Sequence, residues 1–348
     1  MKANRHDFPS RIAGTRTGVW LAAGATLALS ALIVRQKTRR VEADHPPRGR
    51  FLDVEGVRLH YLERGHGQPL VLLHGNGSMA EDFDISGLLD LAAVKYRVIA
   101  FDRPGYGYSR RPHDRTWTPA AQADLLHHAL QRLGIERAAI VAHSWGTLVA
   151  LQLALKYPSA VHGLVLLSGY YFPTVRLDVP WMSMPALPVV GSLLRHTLSP
   201  LIARLNWPLA ARRMFSPAPV AARFADFPAW MSLRPRQMRA NAEEAAMMIP
   251  SVAALVKRYR ELKMPIILLA GDGDRHVNTR LQSERLHHLL PHSELRIAPG
   301  AGHMVHYLVP QQILSAVGAI ARQPVDTFAA PHRPLQDSAL NSAGAVGI

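Results

Sequence analysis

The chain of 348 residues contains no cysteine. That absence excludes disulfides, thiolate metal sites and a cysteine nucleophile together, and it leaves the redox compartment open. Acidic residues are scarce beside basic ones: 25 Asp and Glu against 40 Lys and Arg give a formal charge of +15. Nucleic acid could answer such a balance, yet no basic run is interleaved with aromatics and no zinc-finger or RNP-like pattern occurs. Nucleic acid is therefore not expected as a partner. No His-Glu-x-x-His spacing points to a metal, so no metal site is expected either.

The basic excess is unevenly placed. Residues 1–50 hold ten Lys or Arg and three Asp or Glu, a net of +7, which leaves +8 for the other 298 residues. Within that stretch, Gly18–Val34 carries no charge; it is preceded by Arg11 and Arg16 and followed by Arg35, Lys37, Arg39 and Arg40. As a helix it would be roughly 25 Å long, the short end of a membrane span, with arginines able to snorkel at both ends. We read residues 1–17 as a basic N-terminal segment, 18–34 as a transmembrane anchor and 35–49 as a linker. The protein would then be a single-pass protein of a bacterial inner membrane, and its basic charge would meet anionic lipid. A cleaved signal peptide, with Ala28-x-Ser30 as processing site, is the alternative. Four basic residues precede the span and six follow it soon after, counting Arg48 and Arg50, which leans the following domain toward the cytoplasm.

The length bounds one core of about 270 residues with an insertion and tails. Arg50–Val54 and Val57–Glu63 alternate and meet at Glu55-Gly56, which predicts an antiparallel hairpin. Pro69–Leu73 is instead apolar throughout, as in a strand buried on both faces of a parallel sheet. Strand Tyr96–Phe101, helix Pro119–Leu133, strand Ala138–Ala142, helix Trp145–Tyr157 and strand Val161–Leu167 follow. After an interruption come strand Pro265–Ala270, helix Thr279–Leu290, strand Glu294–Ile297 and helix Val309–Arg322. This βαβ order predicts an α/β fold, a doubly wound and mostly parallel sheet with its site at the carboxyl ends of the strands. The core comprises 50–169 and 264–322. Residues 170–263, rich in Pro, Trp, Met and Arg, show helical patterns and no convincing strand, and read as an inserted helical cap. Such a lid, with twelve Lys or Arg against five Asp or Glu from Tyr170 to Leu262, suits an apolar substrate or a membrane surface. Residues 323–348 have the composition of a disordered tail.

One stretch organises the chemistry. The apolar run Ala139-Ile140-Val141 ends at His143-Ser144, Gly146 is small, and a helical pattern starts at once. A serine there sits on a strained strand-to-helix turn, between Ala142 and Gly146, which let the two elements close together. The helix N-terminus and the Trp145 N–H are placed to stabilise an oxyanion. The stretch resembles the nucleophile elbow of the α/β-hydrolase family, usually Gly-x-Ser-x-Gly, with Ala142 in place of the first Gly. Leu73-His74-Gly75-Asn76-Gly77 resembles that family's His-Gly turn, which implies that the Asn76 N–H forms the other half of the oxyanion hole. Asp102-Arg103-Pro104-Gly105-Tyr106-Gly107-Tyr108-Ser109 resembles its Asp-x-x-Gly-x-Gly-x-Ser turn, where Asp102 would tie the loop to backbone N–H groups.

By the same resemblance, the order Ser144, Asp274, His303 is that of the family's nucleophile, acid and base. Asp274 fits the Gly-x-x-Asp spacing from Gly271 better than Asp272, and His303 in its Gly-rich loop is preferred to His306. The resemblance implies a serine hydrolase working through an acyl-enzyme on Ser144, with no cofactor and with the Trp145 indole lining the pocket. A serine at the elbow disfavours the halide- and epoxide-opening branches, which use aspartate. Carboxylic esters, apolar or lipid-like in view of the lid and anchor, are the expected small-molecule substrates. Prolyl aminopeptidase, carbon–carbon bond hydrolase, cofactor-free perhydrolase and a non-catalytic binding protein remain alternatives, and oligomeric state is open.

Overall fold

The first long helix, α1, runs from Ser10 to Asp44. The computed structural model describes the backbone of residues 10–322 and the side chains of 18–322; the rest of the basic segment 1–17 and the tail 323–348 lie outside the described residues. The helix does not stop at Val34, where a linker is expected, but continues for ten residues. The reason is local: 35–44 holds neither Gly nor Pro, and Arg40 and Asp44 pair across one turn at 3.6 Å. Only 45–49 remain as a connection. One face of the helix is buried at Ser30, Val34 and Val41 while Arg35, Lys37, Arg39 and Arg40 stay exposed.

Strands β1 (Arg50–Val54) and β2 (Val57–Arg64) form the expected hairpin, turning through Glu55 and Gly56, both at positive φ. Then come β3 (Gln68–Leu73), the short helices α2 (Glu81–Ile85) and α3 (Leu88–Ala93), β4 (Tyr96–Phe101), α4 (Pro119–Arg132), β5 (Ala138–His143), α5 (Gly146–Lys156) and β6 (Val161–Leu167). Five helices lie between β6 and the next strand: α6 (Val179–Ser183), α7 (Val190–His196), α8 (Leu198–Phe215), α9 (Ala229–Ser232) and α10 (Pro235–Val256). The chain closes with β7 (Ile266–Gly271), α11 (Arg285–Leu289), β8 (Ser293–Ala298), α12 (Val305–Leu308) and α13 (Pro310–Ala321).

The eight strands form one sheet in the order β1-β2-β4-β3-β5-β6-β7-β8, parallel from β4 onward. Leu70 and Leu72 of β3 pack on one side with Phe83, Leu88 and the α13 residues Ile313, Val317 and Ile320. Val71 and Leu73 pack on the other with Leu125, Leu126 and Leu130 of α4 and Leu148 and Leu151 of α5. Burial on both faces is why this strand reads as an unbroken apolar run, at about 1.5–3 kcal/mol for each leucine taken out of water.

Before α11 the chain makes a π turn over Arg280–Glu284 rather than regular helix. The turn carries Gln282 inward, where Oε1 accepts from Tyr171 and Phe172 N–H (2.6 and 2.7 Å) and Nε2 donates to Phe172 O (3.0 Å). A side-chain amide thus fixes the segment that leads from β6 to the cap helices.

Candidate active site

Ser144 follows the last residue of β5 and has φ 51°, a left-handed conformation rare for a residue with a side chain. Its N–H is held by Leu167 O at 2.8 Å, and Thr147 Oγ1 donates to its carbonyl at 2.6 Å. A Cβ on Gly146 would stand 2.6 Å from both Leu73 O and His74 O, so only glycine lets α5 begin there. Ala142 is fully buried between Leu73 and Leu166, and its methyl is accommodated where the family motif has glycine. Gly75 packs against the serine from the β3 side, a Cβ there lying 3.0 Å from Ser144 Cβ.

The loops after β7 and β8 meet Ser144 at this sheet edge. His303 Nε2 accepts from Ser144 Oγ at 2.9 Å, and His303 Nδ1–H donates to Asp274 Oδ2 at 2.8 Å. The other oxygen of Asp274 accepts from the N–H groups of His276 (2.8 Å) and Val277 (2.9 Å). Burial pushes the Asp274 carboxyl up, but His303 and these two N–H donors outweigh it and hold the group below the usual carboxylate range. The His303 N–H is itself held at 2.8 Å by Met214 O, near the end of α8.

The rival residues lie elsewhere. Asp272 is exposed and accepts from Gly300 N–H at 2.8 Å. His306 is buried and donates to Asp82 at 3.1 Å, a carboxylate that also accepts from Tyr307 Oη and Ser78 Oγ. His143, next to the serine, donates from Nε2 to His303 O at 3.0 Å. Asp102 ties its loop to the core, accepting from Ala80 N–H (2.7 Å), Tyr108 N–H (2.8 Å) and His60 Nδ1–H (2.7 Å).

Among the described residues, the backbone N–H groups of Asn76 and Trp145 donate to no protein acceptor. From the sequence, the Trp145 side chain is expected to line the pocket. The Trp145 indole is buried, donates to Glu244 O at 3.3 Å and lies under the Arg103 guanidinium, 4.7 Å from the ring centre. It is a support between the elbow and α10 rather than lining. Asn76 Nδ2 donates to Asn241 O at 3.0 Å, and Gly77 N–H to Asn241 Oδ1 at 3.1 Å. Both loops that bear the free donors therefore lean on one turn of α10.

Behind that turn lies a buried ionic network that the sequence reading missed. Glu244 of α10 and Arg103 of the loop after β4 are buried and form a bidentate pair, with Nη2 to Oε2 at 3.0 Å. Tyr106 Oη (2.6 Å) and Gln122 Nε2 (3.0 Å) also donate to the carboxylate. Arg103 further donates to His74 O (2.9 Å), Gly75 O (3.0 Å) and Gln122 Oε1 (3.1 Å). Burial raises the Glu244 carboxyl, but the Arg103 charge more than reverses this and keeps it ionised. Burial, then the Arg103 charge, depress His74 to about 4. A signal was present in the helical spacing: Gln237, Ala240, Glu244, Val252 and Leu255 share the buried face of α10.

A family model described as alpha/beta hydrolase fold matches residues 68–310. Two curated relatives are both named 2-hydroxymuconate semialdehyde hydrolase. That of Pseudomonas putida is 34% identical over 152 residues, 43% of this chain and 54% of its own length, so the chain spans about half of it. That of Pseudomonas sp. strain CF600 is 31% identical over 236 residues, 64% of this chain and 80% of its own. Among solved structures, a membrane phospholipase A described as a bacterial virulence factor superposes with a TM-score of 0.61 at 19% identity, covering 91% of this chain and 100% of that one.

Proposed function

The chain belongs to the α/β hydrolase fold family, and from that premise we propose that it is a serine hydrolase of carboxylic esters with apolar acyl groups, held to a membrane by α1. The observation that carries the chemistry is the hydrogen-bonded series Ser144 Oγ, His303 Nε2, His303 Nδ1, Asp274 Oδ2, at 2.9 and 2.8 Å. In this reading His303 takes the Ser144 proton as Oγ attacks the ester carbonyl, and the ionised Asp274 stabilises the imidazolium. The N–H groups of Asn76 and Trp145 receive the oxyanion of the tetrahedral intermediate. His303 returns the proton to the departing alcohol, and a water molecule, deprotonated by the same imidazole, releases the acid from Ser144. No step calls for a cofactor.

The substrate class is supported by the apolar cap and by α1, in which Gly18–Asp44 includes a stretch long and apolar enough to cross a membrane and only 11% buried. A single-pass anchor in a bacterial inner membrane is the reading we adopt; a signal sequence would share these properties. The names of the two Pseudomonas relatives favour carbon–carbon bond hydrolysis as a second reading. Labelling by a fluorophosphonate probe that is present in wild type and absent in Ser144→Ala tests the nucleophile. A panel of p-nitrophenyl esters of rising chain length, run beside a dienoate meta-cleavage substrate, separates the two readings: turnover of the dienoate alone would replace ours.

A further inference from the structure

The cap exposes an apolar surface that the chemistry at Ser144 does not use. No charged residue occurs between Asp178 and Arg195, and this uncharged run supplies no buried core of its own. Trp181 of α6 is 74% exposed, Val189 before α7 83% and Leu205 of α8 82%; Leu177, Leu193 and Ile202 are exposed with them. The elements that carry or adjoin these side chains are neighbours, α6 and α7 meeting through the turn Met184–Ala186 and α7 packing on α8, so the residues lie on adjoining parts of the cap. Soluble monomers rarely leave so many large apolar side chains together in water.

The packing of α1 says what covers them. This helix lies against α7, α8 and α9, and the face it buries begins at Ser30 and Val34, inside the uncharged stretch Gly18–Val34. At about 1.5 Å per residue, Ser30 lies some 6 Å deeper along the helix than Val34. Val41, about two turns past Val34, clusters with Ala211, Phe215 and Met231, so if the stretch spans a bilayer the cap helices packed on α1 stand against the membrane at its last turns. The exposed Arg35, Lys37, Arg39 and Arg40 then mark the headgroup layer, and the exposed Arg204, Arg212 and Arg213 of α8 face anionic lipid.

We infer that α6, α7 and the first half of α8 form a membrane-inserted face of the cap, continuous with α1, whose occupant is an anionic phospholipid bilayer. The inference rests on the anchor reading of α1 and deepens the proposed function. Because Met214 O near the end of α8 holds the His303 N–H, the embedded face is one helix away from the site, and an acyl ester would arrive from the lipid rather than from water.

Absence of cysteine makes the test site-specific in the full-length protein. Leu21→Cys in α1, Leu177→Cys and Leu205→Cys on the cap, and Val94→Cys on the core are each labelled with an environment-sensitive nitrobenzoxadiazole probe. Each is reconstituted into vesicles of phosphatidylcholine and phosphatidylglycerol with and without doxyl-labelled lipid. The expected result is blue-shifted emission and doxyl quenching at 205 and 177 comparable to that at 21, and neither at 94. Quenching at 21 without quenching at 177 and 205 overturns the membrane face and leaves the anchor standing; no quenching at any position overturns both. A blue shift at 205 without doxyl quenching means that protein covers the patch, a second copy included, and also overturns the inference. Quenching at 94 equal to that at 205 does so too, because the insertion would be unspecific. Quenching at 205 without quenching at 21 refutes the anchor and, with it, a face continuous with α1.

Discussion

Replacing Glu244 by glutamine removes one charge from the buried pair while keeping its volume. The carboxylate is inaccessible to water, its partner Arg103 nearly so, and three neutral donors converge on the same two oxygens. With the charge gone, the guanidinium stays buried without a counter-ion, and one Gln N–H is turned toward groups that are themselves donors. Breaking a buried pair from one side costs about 3–5 kcal/mol. A core of about 270 residues has an unfolding entropy near 0.6 kcal/mol/K, so a loss of about 4 kcal/mol lowers Tm by roughly 7 °C.

The pH dependence has a definite sign. A carboxyl held below its ordinary 4.5 in the folded state contributes its stability above that value and loses it as pH falls through the folded pKa. The gap between Glu244→Gln and wild type should therefore narrow in acid. Arg103→Met/Glu244→Leu should recover most of the loss, because no lone charge remains. Fluorophosphonate labelling of Glu244→Gln should slow by about tenfold, part of the 10²–10³ that outright loss of one oxyanion donor costs, since the two proposed donor residues, Asn76 and Trp145, both rest on that turn of α10. Denaturation midpoints within about 1 kcal/mol of wild type would refute the assignment of Glu244 as a buried, paired anion.

Asp274→Asn should lower kcat on a p-nitrophenyl ester by on the order of 10⁴ with the fold intact, through loss of the tautomer that presents Nε2 to Ser144; near-normal turnover would assign the acid elsewhere. Gly146→Ala places a methyl 2.6 Å from two backbone carbonyls and should cost at least about 1–3 kcal/mol in guanidinium denaturation, a neutral result showing that the elbow can open. His74 donates from Nδ1 to Gly75 O (2.8 Å) and accepts at Nε2 from Arg103 N–H (3.0 Å), an arrangement only the neutral ring can make. With its pKa depressed from 6.5 to about 4, it leaves stability intact above pH 6.5 and costs about 3 kcal/mol as pH falls toward 4. Comparing the pH 7 and pH 4.5 midpoints of wild type and His74→Gln tests this, since the variant should lose that share of the acid sensitivity.

The central strands of the sheet were legible because their burial on both faces forces long apolar runs, and the elbow stood out only in company with the other turns at strand ends, since a serine between small residues also fits an ordinary turn. Even the π turn of Arg280–Glu284 lies inside a segment whose helical character the spacing gave away. The sequence alone offered two carboxylates and two histidines near the last strands without choosing by contact. Folding puts His303 within hydrogen-bond reach of both Asp274 and Ser144, and turns Asp272 to solvent and His306 to Asp82. Glu243 and Glu244 are adjacent and chemically alike; one meets Arg111 and Arg239 near the surface, while the other is fully buried against Arg103, 141 residues away. Likewise nothing in the residues after Val34 says that α1 will pack on α7, α8 and α9. Local pattern determined the elements, since periodicity and turn chemistry are properties of neighbours in the chain. Only the tertiary structure decided which charges are buried together and which helix rests on which, because those energies belong to pairs that the sequence holds far apart.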